Sequence, residues 1–308
     1  MTASKAAPVL TNSGLMNSVL KTLGIAAART TLLASVCLGV AGLVASGIAD
    51  PAPADAASRG ARFGAVYDIS FSGLTFAKGE LSVDLDGSAY QARVGMRTSG
   101  LVGVFVPSKS NAESTGRLRG THVVPSKYSM ISKEADLSSK VSMDMGRGDV
   151  RDFAVTPQLK ERPDRIPVTQ SHRRNVVDPL SAALMPMAGG TGGLSPKACD
   201  RRIPIFDGWQ RYDVQLSYRR TEEVSGRGYD GPVVVCGARW IPVAGHRPDK
   251  RSVKYMAENK HIEIWLAPVE DEPLLVPYRI SLRTMSGDIV VEARKLTRLD
   301  PERRQAAR

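Results

Sequence analysis

Alternation of apolar and polar residues, repeated over most of the chain after residue 60, is the feature that most restricts how this protein can fold. The apolar members share one parity in each run, as in Ala65, Tyr67, Ile69 and Phe71, and again in Tyr212, Val214, Leu216 and Tyr218. A period of two places successive side chains on opposite faces of a β-strand, which excludes a helical bundle. Turn-forming dipeptides such as Asp86-Gly87 separate the runs. The sequence therefore predicts an all-β fold of mainly antiparallel strands.

Residues 100–106 depart from this alternation because they are continuously apolar. Such a run is typical of a strand that is buried on both faces, or of a loop that dips into the core. Pro107 follows directly and ends the run. We predict one of these two buried structures for the segment.

Residues 175–187 contain the best helix signal in the interior of the chain. Asp178 is suited to the N-cap, and Pro179 to the first helical position, where its missing N–H costs nothing. The predicted apolar face consists of Leu180, Ala183, Leu184 and Met187. A helix this short needs tertiary cover, so these four residues are candidates either for contact with an apolar ligand or for a plug in the core. We expect a curved open sheet, or an incomplete β-barrel or sandwich, with this helix packed on its concave face.

The N-terminal region has the pattern of an export signal. Lys5, Lys21 and Arg29 precede an uncharged run at 30–49, and Ala54-Asp55-Ala56 has the form of a cleavage site. We predict a signal peptide at 1–56 and a periplasmic protein; the alternative is an uncleaved inner-membrane anchor with a periplasmic domain. A β-rich envelope domain is predicted at 57–296, with a possible subdomain break in the proline-containing stretch at 157–175, and a polar basic tail at 297–308.

Export determines how the cysteines are interpreted. Cys199 and Cys236 are the two cysteines beyond residue 56, and an even pair in an oxidising compartment indicates one structural disulfide. A redox pair or a metal site is the alternative. Neither cysteine has a C-x-x-C partner or a histidine at ligand spacing, which favours the structural bridge.

The charge indicates an anionic partner. The chain has a net charge of +11, and 39 basic against 29 acidic residues remain after residues 1–56 are removed. For an exported protein, anionic lipid or an acidic envelope polymer is a better partner than nucleic acid. Lys250, Arg251 and Lys254 are candidates for headgroup contact because they occupy a predicted exposed loop between strands. The alternative is that the charge only keeps the protein soluble.

Sequence motifs for catalysis or cofactor binding are absent from the chain. His261 and Glu263 could hold a metal with a distant third ligand, although a solvated strand face is the commoner explanation of such a pair. Ser181, Asp178 and His172 could form a nucleophile set, although a serine at this helical position usually bonds to the backbone. We therefore predict no catalytic residue, no metal, no cofactor and no enzymatic activity.

Several short motifs, taken in order, resemble an exported bacterial family called domain of unknown function 3108. They are the 67–79 meander, Asp178-Pro179-Leu180-Ser181, Phe206-Asp207-Gly208, Cys236 leading to Pro242-Val243-Ala244-Gly245-His246, Trp265-Leu266-Ala267, and Pro277-Tyr278-Arg279-Ile280. The resemblance covers roughly residues 63–296. It implies an envelope protein with a curved antiparallel sheet, similar in outline to lipoprotein carriers, and it implies no catalytic residues.

Two functions from different classes fit these observations. The first is a non-enzymatic envelope protein that holds a lipid, an acyl chain or an apolar segment of a partner, and so supports envelope integrity. The second is a scaffold with a filled core and no small ligand. A hydrolase is a third and weaker hypothesis.

Overall fold

A computed structural model describes residues 60–134, 137–187, 194–226 and 228–298, except for the side chains of Leu101 and Phe105. These residues form fourteen strands. The strands are β1 (Ala61–Phe71), β2 (Leu74–Asp86), β3 (Ala89–Thr98), β4 (Ser108–Arg119), β5 (His122–Glu134), β6 (Leu137–Gly146), β7 (Asp149–Thr156), β8 (Met185–Pro186), β9 (Arg202–Phe206), β10 (Arg211–Ser225), β11 (Asp230–Ala244), β12 (Ile262–Pro268), β13 (Leu274–Arg283) and β14 (Asp288–Arg298).

Helical structure in the described residues is short and lies between strands. The α-helices are α1 (Gly100–Phe105) and α2 (Arg251–Glu258), and the 3-10 turns are Ser171–Arg173, Ser181–Ala183 and Pro196–Cys199. No helix in this part of the chain has the length and apolar character needed to cross a membrane.

One antiparallel sheet joins both halves of the chain. Its order is β7-β6-β5-β4-β3-β2-β1-β14-β13-β12-β11-β10-β9, and β8 pairs with β13 outside this path. The first seven strands form a simple meander. The pairing of β1 with β14 then joins that meander to the C-terminal strands, with Ile69 opposite Val291. The predicted all-β antiparallel class with an open curved sheet is confirmed, and the proline-containing stretch at 157–175 links two parts of the same sheet.

The predicted alternation sets the faces of the sheet. In β1, Phe63, Ala65, Tyr67 and Ile69 are buried while their neighbours are more exposed. Corresponding positions on β2 to β6 complete the same apolar face, so the main core lies on one side of the N-terminal strands. Tight turns make the meander possible: at the β6–β7 turn both Arg147 (φ 57°) and Gly148 (φ 87°) are left-handed, the conformation of a hairpin turn that suits twisted strands.

The sheet curls until its two edge strands meet through side chains. Phe153 of β7 and Phe206 of β9 are in edge-to-face contact, with ring centroids 5.6 Å apart. Between these two edge strands, Val176 N–H donates to Gly148 O (2.7 Å), and Val177 forms a parallel bridge with Ile205 of β9. We call this junction between β7 and β9 the seam. The seam is closed by side chains and by the chain around Val177, and the sheet is not a closed barrel.

The predicted helix at 175–187 is wrong in its length and in its type. Asp178 does cap this segment, because its Oδ1 accepts from the N–H groups of Leu180 (3.0 Å) and Ser181 (2.9 Å). The chain then makes a single 3-10 turn and becomes extended as β8, where Met185 and Pro186 pair with β13. Leu180 and Leu184 are buried in the main core. We call residues 176–187 the plug.

After the plug the chain covers the opposite face of the C-terminal strands. Met185, Cys199 and Cys236 belong to a second apolar cluster there, and Met187 packs at its edge. Residues 233–238 of β11 are consequently buried on both faces. The Cys199–Cys236 disulfide is present, with a Cα–Cα distance of 5.3 Å, and it fastens the Pro196–Cys199 turn onto β11.

Two further local predictions are wrong. Residues 100–106 form neither a buried strand nor a core loop, since most of the run is helix α1 and Val104 is exposed. Residues 251–258 are helix α2 rather than a loop, because Met256 is buried against the fold and gives the segment one apolar side. The predicted signal peptide or anchor and the end of the predicted polar tail lie outside the described residues.

Candidate functional site

A groove of about 1070 Å³ lies where β7 ends at the seam. Its walls are the end of β7, the loop that follows it, and the turn between β9 and β10. The lining residues include Phe153, Val155, Leu159, Lys160, Glu161, Arg162, Arg165, Val168, Arg173, Gly208, Trp209 and Gly245. We call it the seam groove. It combines an apolar floor with a strongly basic wall.

Trp209 is held in this floor by its backbone and by its ring. Asp207 Oδ1 accepts from the N–H of Trp209 (2.8 Å) and from the N–H of Gln210 (2.6 Å), which fixes the turn. The indole Nε1–H donates to Pro157 O at 2.8 Å. Burial raises the pKa of the Asp207 carboxyl to about 6, against the lowering effect of these backbone donors. The turn that holds Trp209 in the floor therefore depends on a buried titratable group, the Asp207 carboxyl.

Gly208 is required at this turn for two separate reasons. Its φ of +97° is in the left-handed region, and a Cβ would lie 2.9 Å from methyl carbons of both Val141 and Val155. The absence of a side chain lets the β9–β10 turn approach β6 and β7 closely. The Asp207-Gly208 turn thus forms part of the seam.

The basic wall consists of Lys160, Arg162, Arg165 and Arg173. None of them forms an ion pair with a carboxylate among the described residues. The Nε–H groups of Arg165 and Arg173 are buried and have no hydrogen-bond acceptor in this part of the chain. A buried donor without an acceptor is costly, so the wall is suited to an oxyanion.

Two of these guanidinium groups are held in place by the fold. Arg165 donates to Gly245 O (2.5 Å), and Arg173 lies over the Phe153 ring with its Cζ 4.9 Å from the centroid. Burial, followed by the charges of Arg162 and Arg247, lowers the pKa of Arg165. Burial is the larger cause of this shift; the two neighbouring cations add to it because they disfavour a further positive charge, and Asp164 acts in the opposite direction. Glu161 is the one carboxylate among the groove residues named above.

A second polar cluster is fully enclosed between the plug and the sheet. Tyr90 of β3 is 2.6 Å from Ser181 Oγ, and Ser114 of β4 is 2.8 Å from the same atom. Ser114 Oγ donates to Asp178 Oδ2 at 2.9 Å, and Ser181 Oγ donates to the same carboxylate oxygen. Burial raises the pKa of Asp178, while these hydrogen bonds lower it. The cluster attaches the plug to the sheet.

The nucleophile set considered from the sequence does not assemble. His172 Nδ1 accepts from the N–H of Thr169 (3.1 Å), whereas Ser181 bonds to Asp178, Ser114 and Tyr90. Ser181 is also completely buried. No imidazole therefore lies in position to take a proton from its hydroxyl.

The other predicted site residues have structural neighbours. Glu263 pairs with Arg220, whose Nη1 is 3.1 Å from its Oε1, and no cluster of three or more metal-ligating side chains occurs in the described residues.

The candidates for headgroup contact lie at helix α2. Lys254 is 2.9 Å from Asp249, and Arg251 is exposed at the start of α2, where Lys250 occupies the N-cap position. Leu180, Leu184 and Met187 pack in apolar clusters, and Ala183 is partly buried beside them.

The groove residues were missed by sequence reasoning. Arg162 and Arg165 lie in the stretch that was interpreted as a subdomain break. A usable signal was present, since prolines at 157, 163 and 167 alternate there with basic residues directly after a strand. Such a segment is stiff and basic, as expected for the wall of an anion site.

Comparisons with known proteins match the chain to a family model. A family model described as "Protein of unknown function (DUF3108)" matches residues 66–294. No curated protein matches the sequence. A similar solved structure is the crystal structure of a beta-barrel-like protein of domain of unknown function DUF1849 from Brucella abortus, with 10% identity and a TM-score of 0.46 over 79% of this chain and 99% of that chain.

Proposed function

This chain belongs to the DUF3108 family of proteins of unknown function, and we propose that it is an exported, non-catalytic protein that binds an anionic amphiphile in the seam groove. An amphiphile here means a molecule with an apolar chain and an anionic group, such as a phospholipid. The observation that supports this most directly is the combination of an apolar floor with four cations that form no ion pair in the described part of the chain. The floor suits the chain, and the cations suit the headgroup.

The proposed ligand position lies away from residues 180–187, which the sequence offers either as a ligand contact or as a core plug. Leu180 and Leu184 of the plug occupy the concave side of the sheet, so the plug is part of the core. An acyl chain bound beneath the plug would have to displace these two leucines. The seam groove needs no such displacement, because its apolar residues already line an open space. The scaffold hypothesis draws its support from the same filled core, and the experiment below separates the two.

Export is part of the proposal. It is supported by the charged and then uncharged N-terminal run in the sequence, and by the disulfide, which is compatible with an oxidising compartment. Cell fractionation with N-terminal sequencing of the isolated protein tests it. A first residue near Ala57 in the periplasmic fraction is expected, and a reduced protein in the cytosolic fraction would contradict export.

The binding experiment uses three matched probes, namely dodecyl phosphate, dodecyl maltoside and inorganic phosphate. Calorimetry should detect binding of dodecyl phosphate and much weaker binding of the other two. Dodecyl maltoside lacks the anionic group, and inorganic phosphate lacks the apolar chain. Equal binding of dodecyl maltoside would remove the anionic part of the proposal. Absence of binding by all three probes would favour the scaffold.

Variants locate the site within the protein. Replacing Arg162 and Arg173 by Gln should weaken dodecyl phosphate binding by roughly tenfold or more, because charged hydrogen bonds are each worth about 1.5 to 3 kcal/mol. Arg174→Gln is the matched control, since Arg174 adjoins Arg173 but does not line the groove. An equal loss in the control would assign the effect to net charge rather than to the groove.

A further inference from the structure

Exposed apolar side chains concentrate at one end of the sheet. Among the described residues, five large apolar side chains are exposed, and three of these are Leu74 (78%), Val104 (74%) and Met285 (44%). Leu74 begins β2, Val104 lies in α1, and Met285 lies in the turn between β13 and β14. Single exposed apolar residues are ordinary on a soluble protein, but three at one end require an explanation.

Backbone hydrogen bonds connect the segments that hold these side chains. Ser72 N–H donates to Asp288 O (2.7 Å), which joins the β1–β2 turn to the start of β14. Ser99 N–H donates to Phe76 O (2.8 Å), which joins the start of α1 to β2. We call the end formed by the 72–73 turn, α1 and the 284–287 turn the rim. Its apolar side chains are thus presented by neighbouring segments of one rigid sheet.

A row of four cations crosses the sheet beside the rim. Lys78 of β2 is opposite Arg97 of β3, Arg97 is opposite Lys109 of β4, and Lys109 is opposite Lys133 of β5. All four side chains are exposed. None of them forms an ion pair with a carboxylate in the described part of the chain. Like charges opposite one another destabilise a sheet, so the row lowers the stability of these strands locally.

Apolar side chains at an edge, with cations set a few residues behind them, match the layers of a membrane surface. We propose that the rim docks on a bilayer that contains anionic lipid, with Leu74, Val104 and Met285 among the upper acyl chains and the cation row at the headgroups. The charge of the row selects a lipid surface over an uncharged apolar partner. Helix α2, which includes Arg251 and Lys254, lies between the end of β11 and the start of β12, at the same end of the sheet.

The proposal does not depend on ligand binding in the seam groove. β7 ends at the same end of the sheet as the rim strands, so the groove would face the same surface, yet either feature can exist without the other. Vesicle binding reports the rim, and calorimetry with dodecyl phosphate reports the groove. A failure of one measurement is therefore distinguishable from a failure of the other.

The first test follows insertion at a defined position in the full chain. Leu74→Trp should show fluorescence quenching by bromine-labelled phosphatidylcholine in vesicles that also contain phosphatidylglycerol, beyond the quenching of the native tryptophans. Tyr218→Trp is the control, because Tyr218 is also exposed (43%) but lies in the middle of β10. Quenching at 74 and not at 218 is expected. Equal quenching at both positions, or none at 74, would overturn the proposal, whether or not the N-terminal segment is cleaved.

The second test changes the cations and keeps the net charge matched. Lys109→Ser with Lys133→Ser should reduce sedimentation with phosphatidylglycerol vesicles by roughly tenfold in partition coefficient at low salt. Arg119→Ser with Lys127→Ser removes the same charge away from the rim and should have a much smaller effect. Equal losses would mean that only net charge matters. A dimer that dissociates on Leu74→Ser would show that the rim binds a second copy, and would also overturn the proposal.

Discussion

Phe153 and Phe206 meet edge to face across the seam, on the two strands that have no hydrogen-bonded ladder with each other. The side chains at this position join edges that the backbone leaves separate. Phe206 is fully buried, whereas Phe153 is also covered by the Arg173 guanidinium. The pair therefore connects the stability of the sheet to the basic wall of the seam groove.

We expect a measurable coupling between the two rings. In a double-mutant cycle of Phe153→Leu and Phe206→Leu, the interaction free energy should be about 0.5 to 1.5 kcal/mol, the usual range for aromatic pairs. Urea unfolding of the four proteins measures it. Strictly additive effects would indicate that the seam is held by the chain around Val177 and not by the rings.

The plug should be essential for folding. Leu184→Asp places a carboxylate in the main core and should lower the unfolding free energy by several kcal/mol, because a buried charge without a partner is strongly disfavoured. Leu74→Asp is the control, since Leu74 is exposed. Ser181→Ala should be milder than Leu184→Asp, although it leaves Asp178 with one fewer donor. Similar melting temperatures for Leu184→Asp and Leu74→Asp would show that the plug is dispensable.

Two glycines allow backbone strain to be separated from crowding. Gly208 and Gly73 have similar left-handed φ values of +97° and +86°, but a Cβ at 208 would lie 2.9 Å from valine methyl carbons, whereas one at 73 would have no neighbour within 4 Å. Gly208→Ala should therefore cost more than Gly73→Ala, by about 1 to 3 kcal/mol for the overpacking. Thermal unfolding gives the difference. Gly208→Ala should also weaken ligand binding, and equal costs at the two positions would contradict the close approach.

The disulfide should stabilise the fold through the chain that it closes. Its cysteines are separated by 37 positions, which corresponds to about 4 kcal/mol in the chain-entropy model. Cys199→Ser with Cys236→Ser should lower the melting temperature, and reductant should lower that of the wild type but not that of the variant. Alkylation of unreduced protein should modify neither cysteine; two reactive thiols at these positions would disprove the bond in solution.

Asp207 makes stability depend on pH in an unusual direction. Its pKa is raised from 3.8 to about 6, so the folded state binds the proton more tightly than the unfolded state does. The contribution of this carboxyl to the unfolding free energy is fully present below pH 3.8. It is lost as the pH rises to about 6, which lowers the unfolding free energy by up to roughly 3 kcal/mol. Asp207→Asn keeps an oxygen for the two backbone donors and does not titrate. The unfolding free energy of the variant relative to wild type should rise across this interval; a flat difference would show that the pKa is not raised.

The sequence predicted those parts of the structure that depend on local patterns. The parity of Ala65, Tyr67 and Ile69 placed the core face of β1 correctly, and the cap at Asp178 formed as expected. The type of the following segment was predicted wrongly because long-range contacts determine it. Tyr90 and Ser114 bind Ser181 after one 3-10 turn, and β13 then pairs with Met185.

Other errors have a similar physical origin. An apolar run such as 100–106 has no periodicity that distinguishes a buried strand from a short helix, and its exposure at the rim depends on the loop that it forms between β3 and β4. The basic stretch gives a signal for the wall of the seam groove but not for its position, because Arg165 reaches Gly245 across 80 positions of the chain. Local patterns contain no information on such a contact.

The pairing of β1 with β14 has a consequence for biosynthesis. The first strand and the last strand of the domain are neighbours, with Phe63 opposite Arg298, so a nascent chain can form the N-terminal meander long before the partner of β1 exists. Until β14 emerges, β1 presents an open strand edge, which is a template for pairing with other chains. We expect pulsed hydrogen exchange during refolding to show that those β1 amides which bond to β14 gain protection late and together with β14, since contacts so distant in sequence form slowly. During synthesis, the protein should therefore be most prone to aggregate just before its last strand is complete.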